Sequence, residues 1–302
     1  MRELKIIIML STFNGEKYID EQLNSIYNQD VVGDITIYVR DDGSNDNTIN
    51  KINDWQQKMN IIWADSSEEL GAAKSFWYLF TTAPKGDMYA FCDQDDIWYS
   101  DKLSRAISSL KEKKKAAMYF SNSQKVDEQL NPIGKTILQF PNLSIRSQLI
   151  CGSCQGCTMV MNADCRDMII SKEIKNIKMH DAVVAKYAIV CGEVIYDDRP
   201  SMDYRQHEKN VIAKRNKSWR ARLNQVSNQW LKDKGLGSKL ATELLMKCSS
   251  ELNEEDRRFC ECLADYRRNL NSKIYLMRQA KKNSDNRDAI RSFRIRILLN
   301  LY

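Results

Sequence analysis

Long apolar runs are missing from this sequence of 302 residues. No stretch approaches the roughly 18 consecutive apolar residues that a membrane-spanning helix requires. The apolar run near the N-terminus, from Ile6 to Leu10, is too short for a secretory signal, and no small-residue cleavage site follows it. Internal repeats and low-complexity linkers are missing as well. These absences argue against a membrane-spanning protein or a repeat array, and they lead us to expect a cytoplasmic globular protein.

Histidine is scarce, and cysteine occurs in an odd number. His180 and His207 are the two histidines; a lone histidine is usually structural, although neutral imidazole is also a good metal ligand or phosphate partner. Nine scattered cysteines suit a reducing compartment better than a disulfide framework. The spacing of Cys151, Cys154 and Cys157 can hold zinc or an iron–sulfur cluster. Because Cys157 opens a strand-like apolar run, we favour buried packing of these thiols.

Strand and helix patterns alternate through the first half of the chain. Apolar and β-branched runs predict strands at residues 5–10, 35–39, 60–63, 88–92 and 116–120. Between them, apolar residues recur at helical spacing, as in the series Ile19, Leu23, Ile26 and Tyr27. This alternation predicts an α/β fold, in which a largely parallel sheet carries helices on both faces.

Helical patterns alone follow, so we predict an α/β domain over residues 1–211 and a helical basic region over residues 212–302. Residues 265–302 carry ten Lys or Arg against three acids, a net charge of +7 that leaves −1 for the first 264 residues. In this tail, Ile290, Phe293 and Ile297 share one helical face with arginines nearby. Such a face either lies on an anionic membrane surface or packs on neighbouring helices. We expect no nucleic-acid partner.

Three polar loops follow three of the predicted strands. They are Ser11-Thr-Phe-Asn-Gly15, Asp41-Asp-Gly-Ser44 and Asp93-Gln-Asp-Asp96. In an open α/β sheet, ligands bind outside the carboxyl ends of the strands. One such loop would mean little, but three at one edge of a sheet predict a single site.

The third loop carries the sharpest signal. Asp93 and Asp95 stand one residue apart on a turn that leaves a strand, so both can face one hard divalent cation. A nucleotide diphosphate would complete the shell of such a cation, which would neutralise charge on the leaving diphosphate. The alternative is an acidic turn that caps a helix.

The remaining candidates also admit two interpretations each. Asp41 or Asp42 can accept a hydrogen bond from a base or a ribose, or can form a polar turn before the next helix. Asn14 and Gly15 form a turn first of all, and only secondarily a close backbone approach to a nucleotide. Asp181 heads a predicted amphipathic helix, where an acid is favourable in its own right.

Taken together, these motifs resemble the family-two glycosyltransferases. The matching segments, in order, are Ser11-Thr-Phe-Asn-Gly15, Asp41-Asp-Gly-Ser44, Asp93-Gln-Asp-Asp-Ile-Trp98, Gln155-Gly-Cys-Thr158, His180-Asp181 and Tyr204-Arg-Gln-His207. The likeness covers about residues 4–212 and is greatest to the bacterial branch that builds O-antigen and capsule repeats, including rhamnosyltransferase-like members. Each motif alone is unspecific, whereas the ordered set is specific. Relatives often have Asn-x-Gly before the third helix, where this chain has Glu69-Leu-Gly71.

The resemblance implies a GT-A type, Rossmann-like fold and an inverting transfer from a UDP- or dTDP-sugar to an acceptor hydroxyl. The residues that we assign to donor binding on this basis are Ser11, Phe13, Asn14, Asp41, Asp42 and Asp93. The metal, Mn²⁺ or Mg²⁺, is expected on Asp95 and His207, and the catalytic base at Asp181. A lipid-linked saccharide is the expected acceptor, with the basic tail resting on the inner face of the cell membrane.

Two other functions would use the same sheet and the same ligand. A sugar-nucleotide pyrophosphorylase would be expected to have a Gly-rich basic loop after the first strand, where this chain has Ser-Thr-Phe-Asn-Gly. A nucleotide-sugar binding protein without transfer activity would leave the set of acids unexplained. Glycosyl transfer is therefore our prediction, with Asp181 taking the proton of the attacking hydroxyl.

Overall fold

The computed structural model of the chain describes residues 3–66, 68–136, 141–152, 154–207, 228 and 230–302. The first elements are β1 (Lys5–Thr12), α1 (Ile19–Tyr27), β2 (Asp34–Asp41), α2 (Thr48–Trp55), β3 (Asn60–Trp63), α3 (Ala72–Thr82), β4 (Met88–Cys92), β5 (Ile97–Trp98), α4 (Lys102–Leu110) and β6 (Ala117–Val126). Next come β7 (Pro132–Thr136), α5 (Ile145–Ile150), a 3-10 turn (Gly156–Thr158), β8 (Val160–Asn162), α6 (Ala163–Ser171), α7 (His180–Cys191) and β9 (Glu193–Arg205). The C-terminal helices are α8 (Leu236–Lys247), α9 (Glu254–Asp265), α10 (Leu270–Lys282) and α11 (Arg287–Leu298).

The strands form one mixed sheet in the order β3-β2-β1-β4-β8-β6-β9-β5, and β7 pairs with β6 outside that path. Parallel pairing joins β1 to β2 and β4, β2 to β3, and β6 to β9. Antiparallel pairing joins β8 to β4 and β6, β5 to β9, and β7 to β6. The residues from Ile6 to Leu10 are buried, as a continuous apolar strand in the middle of a covered sheet requires. The predicted, mostly parallel α/β sheet is confirmed.

Hydrophobic clusters cover both faces of the sheet. One cluster joins the sheet to α1, α2 and α4 through residues such as Leu23, Ile52 and Leu103. The other joins it to α3, α6 and α7 and continues into the C-terminal helices, where Leu244 and Phe259 are fully buried. The C-terminal helices therefore share a core with the α/β part. The predicted boundary at residue 211 lies outside the described residues, as does the start of the predicted helical region.

The apolar face predicted for the basic tail points inward. Phe293 and Ile297 are 1% and 0% exposed, and Ile290 packs against the same cluster. The ring of Phe293 lies 6.4 Å from that of Phe259 on α9 and 4.8 Å from that of Tyr302. Packing on neighbouring helices is thus confirmed for these residues, and their predicted contact with a membrane is wrong because the protein core already covers them. None of the helices in the described ranges combines the length and apolarity needed to cross a bilayer.

The clustered cysteines contribute to packing. Cys157 is buried in the cluster beneath α1, α2 and α4, whereas Cys151 and Cys154 are half-buried and pack on the opposite face. Over the part of the chain that the structure describes, no group of possible metal ligands combines these thiols with one another. The predicted packing of these thiols is confirmed.

Candidate active site

The three polar loops meet at the carboxyl edge of β1, β2 and β4. Strand pairing sets Thr12 beside Asp41, and β4 lies on the other side of β1. Gln94 joins the first loop to the third, since its side chain accepts from the N–H of Phe13 at 2.9 Å and donates to the Phe13 carbonyl at 3.0 Å. A Cβ at Gly15 would lie 2.3 Å from Oε1 of Gln94, so a larger residue at this position would displace the Gln94 side chain. The predicted convergence of the loops is confirmed.

The loop after β1 offers an aromatic ring to a ligand. Phe13 is 51% exposed at this edge of the sheet. Asn14 has a left-handed backbone with a φ of 47°, and its Oδ1 accepts from the N–H of Asn45 at 2.8 Å. The hydroxyls of Ser11 and Ser75 share a hydrogen bond of 2.6 Å. Asn14 and Ser11 therefore hold the loop, while the ring of Phe13 is available for contact.

Asp41 is saturated by contacts within the protein. Its Oδ1 accepts from the hydroxyls of Thr12 at 2.8 Å and Ser44 at 2.6 Å. Its Oδ2 accepts from the N–H groups of Gly43 at 3.1 Å and Ser44 at 2.7 Å. Four hydrogen bonds fill the acceptor sites of a carboxylate, so Asp41 fixes the shape of this loop.

Asp42 anchors the segment that leads into α3. Its Oδ1 accepts from Nη1 of Arg40 at 2.6 Å and from the N–H of Leu70 at 2.7 Å, and its Oδ2 accepts from the N–H of Gly71 at 2.8 Å. Arg40 is fully buried, so the two charges compensate each other. Gly71 has a φ of 75°, which explains why glycine is kept in Glu69-Leu-Gly71.

The acids after β4 are crowded rather than saturated. Ligand atoms of Asp93, Asp96 and Cys157 all lie within 4.8 Å of one another. Burial, reinforced by the charges of Asp95 and Asp181, raises the pKa of Asp93 to about 7. Burial, followed by the charges of Asp95 and Asp93, raises the pKa of Asp96 well above its usual range. The crowding concentrates negative charge that a cation would offset.

Lys102 is an internal cation that the sequence did not reveal. It is fully buried, with its ammonium 4.1 Å from the centre of the Trp98 ring and donating to the Cys157 carbonyl at 2.5 Å. Burial lowers the pKa of Lys102 to about 8, although the charges of Asp96 and Asp93 act in the opposite direction. Lys102 thus offsets part of the charge behind the acidic loop.

Asp95 lies against His207, as the resemblance implied. Their Oδ2 and Nε2 atoms are 2.6 Å apart. The His207 ring stacks on Tyr18 of α1 at 5.1 Å, and the guanidinium of Arg205 lies over the Tyr18 ring at 4.6 Å. The side chain of Arg205 also donates through Nε to the Asp95 carbonyl at 2.9 Å. The backbone N–H of Arg205 donates to Oδ1 of Asp96 at 3.1 Å. The end of β9 and α1 together hold the acidic loop in place.

Sequence reasoning gave Arg205 no role, although it stands inside a quoted motif. Its guanidinium donates to the Glu128 carbonyl at 2.9 Å and to the carboxylate of Glu21. It is 2% exposed. The only available signal was its place between Tyr204 and His207, because its partners are far away in the sequence.

Asp181 reaches the same cleft from the head of α7. Its Oδ1 accepts from the N–H of Ala182 at 2.6 Å and its Oδ2 from the N–H of Gly156 at 3.3 Å. Cys157, the next residue, belongs to the crowded group around Asp93. The structure therefore brings the predicted base together with the predicted donor and metal residues.

His180 is structural, in agreement with the simpler interpretation. It is buried, with its ring centre 4.3 Å from that of Phe76 and 4.7 Å from that of Phe91. Burial lowers the pKa of His180 to about 4, so the imidazole is neutral. This aromatic packing fixes the start of α7 and hence the position of Asp181.

The donor set fits a hard divalent cation. Asp93 and Asp95 would offer carboxylate oxygens, which suit Mn²⁺ or Mg²⁺, and His207, predicted as a further ligand, lies against Asp95. Asp96 adds an oxygen, Oδ2, that is buried without a partner among the described residues. An orphaned acceptor beside crowded carboxylates is the environment that a cation relieves.

Comparison with known proteins identifies the family. The model of glycosyl transferase family 2 matches residues 7–169. The dTDP-rhamnosyl transferase RfbG of Shigella flexneri is 33% identical over 247 residues, which are 73% of this chain and 80% of RfbG. The abequosyltransferase RfbV of Salmonella typhimurium is 33% identical over 102 residues, 33% of this chain and 30% of RfbV. The chain belongs to glycosyl transferase family 2 and is a glycosyltransferase, as the ordered motifs predicted.

Solved structures show the same fold. TarS of S. aureus, residues 1–349 in complex with UDP-GlcNAc, matches with a TM-score of 0.64 at 17% identity, over 99% of this chain and 84% of that one. The mannosyltransferase PcManGT of Pyrobaculum calidifontis, in complex with GDP-Man and Mn²⁺, matches with a TM-score of 0.54 at 13% identity, over 100% and 89%. The predicted GT-A fold with C-terminal helices is confirmed.

Proposed function

We propose that this protein is an inverting glycosyltransferase that moves a sugar from a UDP- or dTDP-linked donor to a hydroxyl of a lipid-linked saccharide. The names of RfbG and RfbV make a deoxysugar such as rhamnose the first donor to test. The resemblance of the sequence motifs makes O-antigen or capsule assembly the first context. All nine cysteines are free thiols, which supports a cytoplasmic location. The observation that carries the proposal is the meeting of Asp181 with the acidic loop after β4.

Donor binding is assigned to residues at the carboxyl edge of β1, β2 and β4. Phe13 offers an exposed aromatic face to a nucleotide base. Asp93 lies beside the position proposed for the diphosphate. Asp41 and Asp42 contribute by holding their loops, since their oxygens accept hydrogen bonds from neighbouring residues. Ser11 and Asn14 act in the same way.

Asp95 and His207 would hold a divalent cation, with Asp93 beside them. When bound, Mn²⁺ or Mg²⁺ would supply positive charge to the diphosphate that leaves. The protein's own part is to keep the two ligands together, through Tyr18 against His207 and Arg205 against the Asp95 carbonyl. Such supporting contacts orient the groups that hold a metal.

Asp181 acts as the general base. Its carboxylate is oriented by the N–H groups of Ala182 and Gly156. As the acceptor oxygen attacks the anomeric carbon, Asp181 takes the hydroxyl proton, and the bond to the nucleotide diphosphate breaks on the opposite face. The configuration at that carbon is therefore inverted. General-base assistance contributes roughly 100- to 10,000-fold in rate.

A panel of UDP- and dTDP-sugars tests the proposal directly. Each donor is incubated with purified protein and with Mn²⁺, Mg²⁺ or EDTA, and both hydrolysis and transfer are measured. We expect metal-dependent turnover of one donor, with inversion seen by NMR of the product. Retention of configuration at the anomeric carbon would reject a single, direct displacement by the acceptor hydroxyl. Tight binding of a donor without turnover on any acceptor tested would favour a nucleotide-sugar binding protein instead.

A further inference from the structure

A group of apolar side chains is exposed at one end of the α10–α11 pair. Its members, which we call the C-terminal patch, are Leu270, Ile274, Leu298 and Leu299, exposed by 70, 41, 55 and 59%. The start of α10 adjoins the end of α11, because Nζ of Lys273 donates to Oδ1 of Asn300 at 3.0 Å. Exposed apolar residues that gather in one place mark an interaction surface more often than scattered ones do.

Basic side chains border the C-terminal patch. Arg267 and Arg268 are exposed just before α10. Gly235 lies against the guanidinium of Arg267, since a Cβ added at Gly235 would be 2.7 Å from Nη2. The exposed Lys234 precedes Gly235 on the same loop and is therefore close to this arginine. Of the three acids in residues 265–302, Asp265 is the one near the start of α10.

The other two acids of the tail, Asp285 and Asp288, follow the far end of α10. That helix has 13 residues, so they lie roughly 20 Å from its start. The border of the C-terminal patch is therefore net positive, within a tail of charge +7.

The C-terminal patch is connected to the loop that leads to the proposed base. Asp233, on the loop beside Arg267, forms an ion pair with Lys178. Lys178 precedes His180 and Asp181 at the head of α7. This ion pair therefore joins the loop beside the basic border to the segment that leads into α7.

We propose that the C-terminal patch docks on an anionic lipid bilayer. Its leucines and isoleucine would enter the interface between headgroups and acyl chains, and the basic border would meet the anionic headgroups. Charge decides between this occupant and a second copy of the chain, because a symmetric pair would bring two positive borders together. Docking here keeps the predicted membrane contact of residues 265–302 but moves it away from Ile290, Phe293 and Ile297, which are buried or packed in the core. It goes beyond the proposed transfer reaction and does not depend on it.

Vesicle co-sedimentation of the full chain tests the docking. Wild-type protein is mixed with vesicles of equimolar phosphatidylglycerol and phosphatidylcholine, or of phosphatidylcholine alone, at low and high salt. We expect salt-sensitive binding to the anionic vesicles and little binding to the neutral ones. Leu270→Glu combined with Leu299→Glu should weaken binding at least about tenfold, because it removes apolar area and adds like charge to the lipid. Lys234→Ala and Arg268→Ala should each weaken it about fivefold.

Met246→Glu is the matched control. Met246 is 78% exposed near the end of α8, away from Gly235 at the start of that helix, so the same kind of change is made outside the C-terminal patch. It should bind vesicles like the wild type. All these sites are exposed, and unchanged melting temperatures would show that the variants fold.

Three results would overturn the docking: absent binding to anionic vesicles at low salt, equal loss in Met246→Glu, or a dimer in solution that Leu270→Glu dissociates. The measurement uses neither donor nor acceptor, so its failure leaves the transfer reaction untouched.

Discussion

Two acidic loops lie at the same edge of the sheet, and they are built in opposite ways. In the loop after β2, each oxygen of Asp41 and Asp42 accepts at least one hydrogen bond from the protein, and Arg40 balances the charge of Asp42. In the loop after β4, Asp93 and Asp96 stand close together, their pKa values are raised, and Oδ2 of Asp96 is buried with no partner among the described residues.

This contrast separates acids that shape a site from acids that a ligand must complete. Saturated carboxylates lower the free energy of the folded protein and hold the loop that faces the donor. Crowded carboxylates raise that free energy unless a cation or a proton offsets their charge. Similar sequences, Asp-Asp-Gly-Ser and Asp-Gln-Asp-Asp, thus have different physical roles, and substitutions in each should have different effects.

The largest expected effect is the loss of Asp95. Asp95→Ala removes the carboxylate that faces His207, so we expect transfer to fall below detection, and we expect EDTA to silence the wild type reversibly. Turnover with the preferred donor is measured with and without added Mn²⁺. Asp101→Ala, at an exposed acid near the start of α4, is the control and should keep most activity. Full activity of the wild type in EDTA would show that transfer needs no metal at the loop after β4. The two acidic loops would then not differ in their need for a cation.

Asp181→Asn should have the next largest effect. The amide keeps the shape of the carboxylate and one of its two accepted hydrogen bonds but cannot take a proton, so transfer should fall at least about 100-fold. Donor affinity and melting temperature should stay close to those of the wild type, because Asp181 is not the N-cap of α7 and a first-turn charge contributes about 1 kcal/mol or less. Calorimetric titration and a turnover assay are run on one preparation.

The control for this substitution is Asp164→Asn, at another first-turn acid, on α6. It should leave turnover unchanged. Near-normal turnover of Asp181→Asn would move the base to another residue, whereas lost donor binding would make Asp181 a structural acid.

Asp42→Asn should act on stability. The change leaves the buried Arg40 without a full counter-charge, so the free energy of unfolding should fall by roughly 2 kcal/mol. Turnover per folded molecule should fall much less than in Asp181→Asn. Urea unfolding and turnover are measured together. Asp20→Asn, which breaks the exposed pair with Lys51, should cost about 0.5 kcal/mol or less. A large loss of turnover without a loss of stability would make Asp42 a direct donor ligand.

Buried strands were the most predictable part of the fold. All five predicted strands are present, because a continuous apolar run has one stable place, in the middle of a covered sheet. The ends of four strands shift by at most two residues, whereas β6 continues six residues beyond its predicted end at residue 120, to Val126. The length of β9 was not predictable, since only its last residues, 201–204, look like a strand. Its earlier part contains Asp197, which is held there by an ion pair of 2.6 Å with Arg105 on α4. Such a long-range partner leaves no periodic signal.

The site residues also differ in how far local sequence patterns could predict them. Asp93, Asp95 and Asp181 could be proposed because acids after strands or at a helix start have a local signature. Lys102 and Arg205 could not, because burial of a charged side chain depends on partners that only the fold supplies. The tail adds a further lesson: the stripe of Ile290, Phe293 and Ile297 was correctly identified as apolar, but periodicity does not say whether a helix face meets lipid or protein.

The pH dependence of the metal-free protein is the smallest expected effect, and it measures the crowding itself. The pKa of Asp93 is raised to about 7 in the folded protein from a usual value of 3.8. Between these values the folded protein keeps a proton that the unfolded chain has released. Stability is therefore lost as the pH rises through this window, by roughly 1 kcal/mol per pH unit, and the loss is complete above about pH 7. Asp93→Asn cannot titrate and should lack this loss.

Urea unfolding of the wild type and of Asp93→Asn in EDTA, from about pH 5 to about pH 8, measures this contribution together with its effect on Asp96, whose pKa the charge of Asp93 helps to raise. The difference in unfolding free energy should grow in favour of Asp93→Asn as the pH rises and then level off. Added Mn²⁺ should stabilise the wild type most above about pH 7, where the carboxylate is ionised, and should stabilise the variant less, because the variant lacks this charge beside Asp95 and His207. Parallel curves for the two proteins would mean that the folded protein does not hold a proton on Asp93, and the two loops would no longer differ in kind.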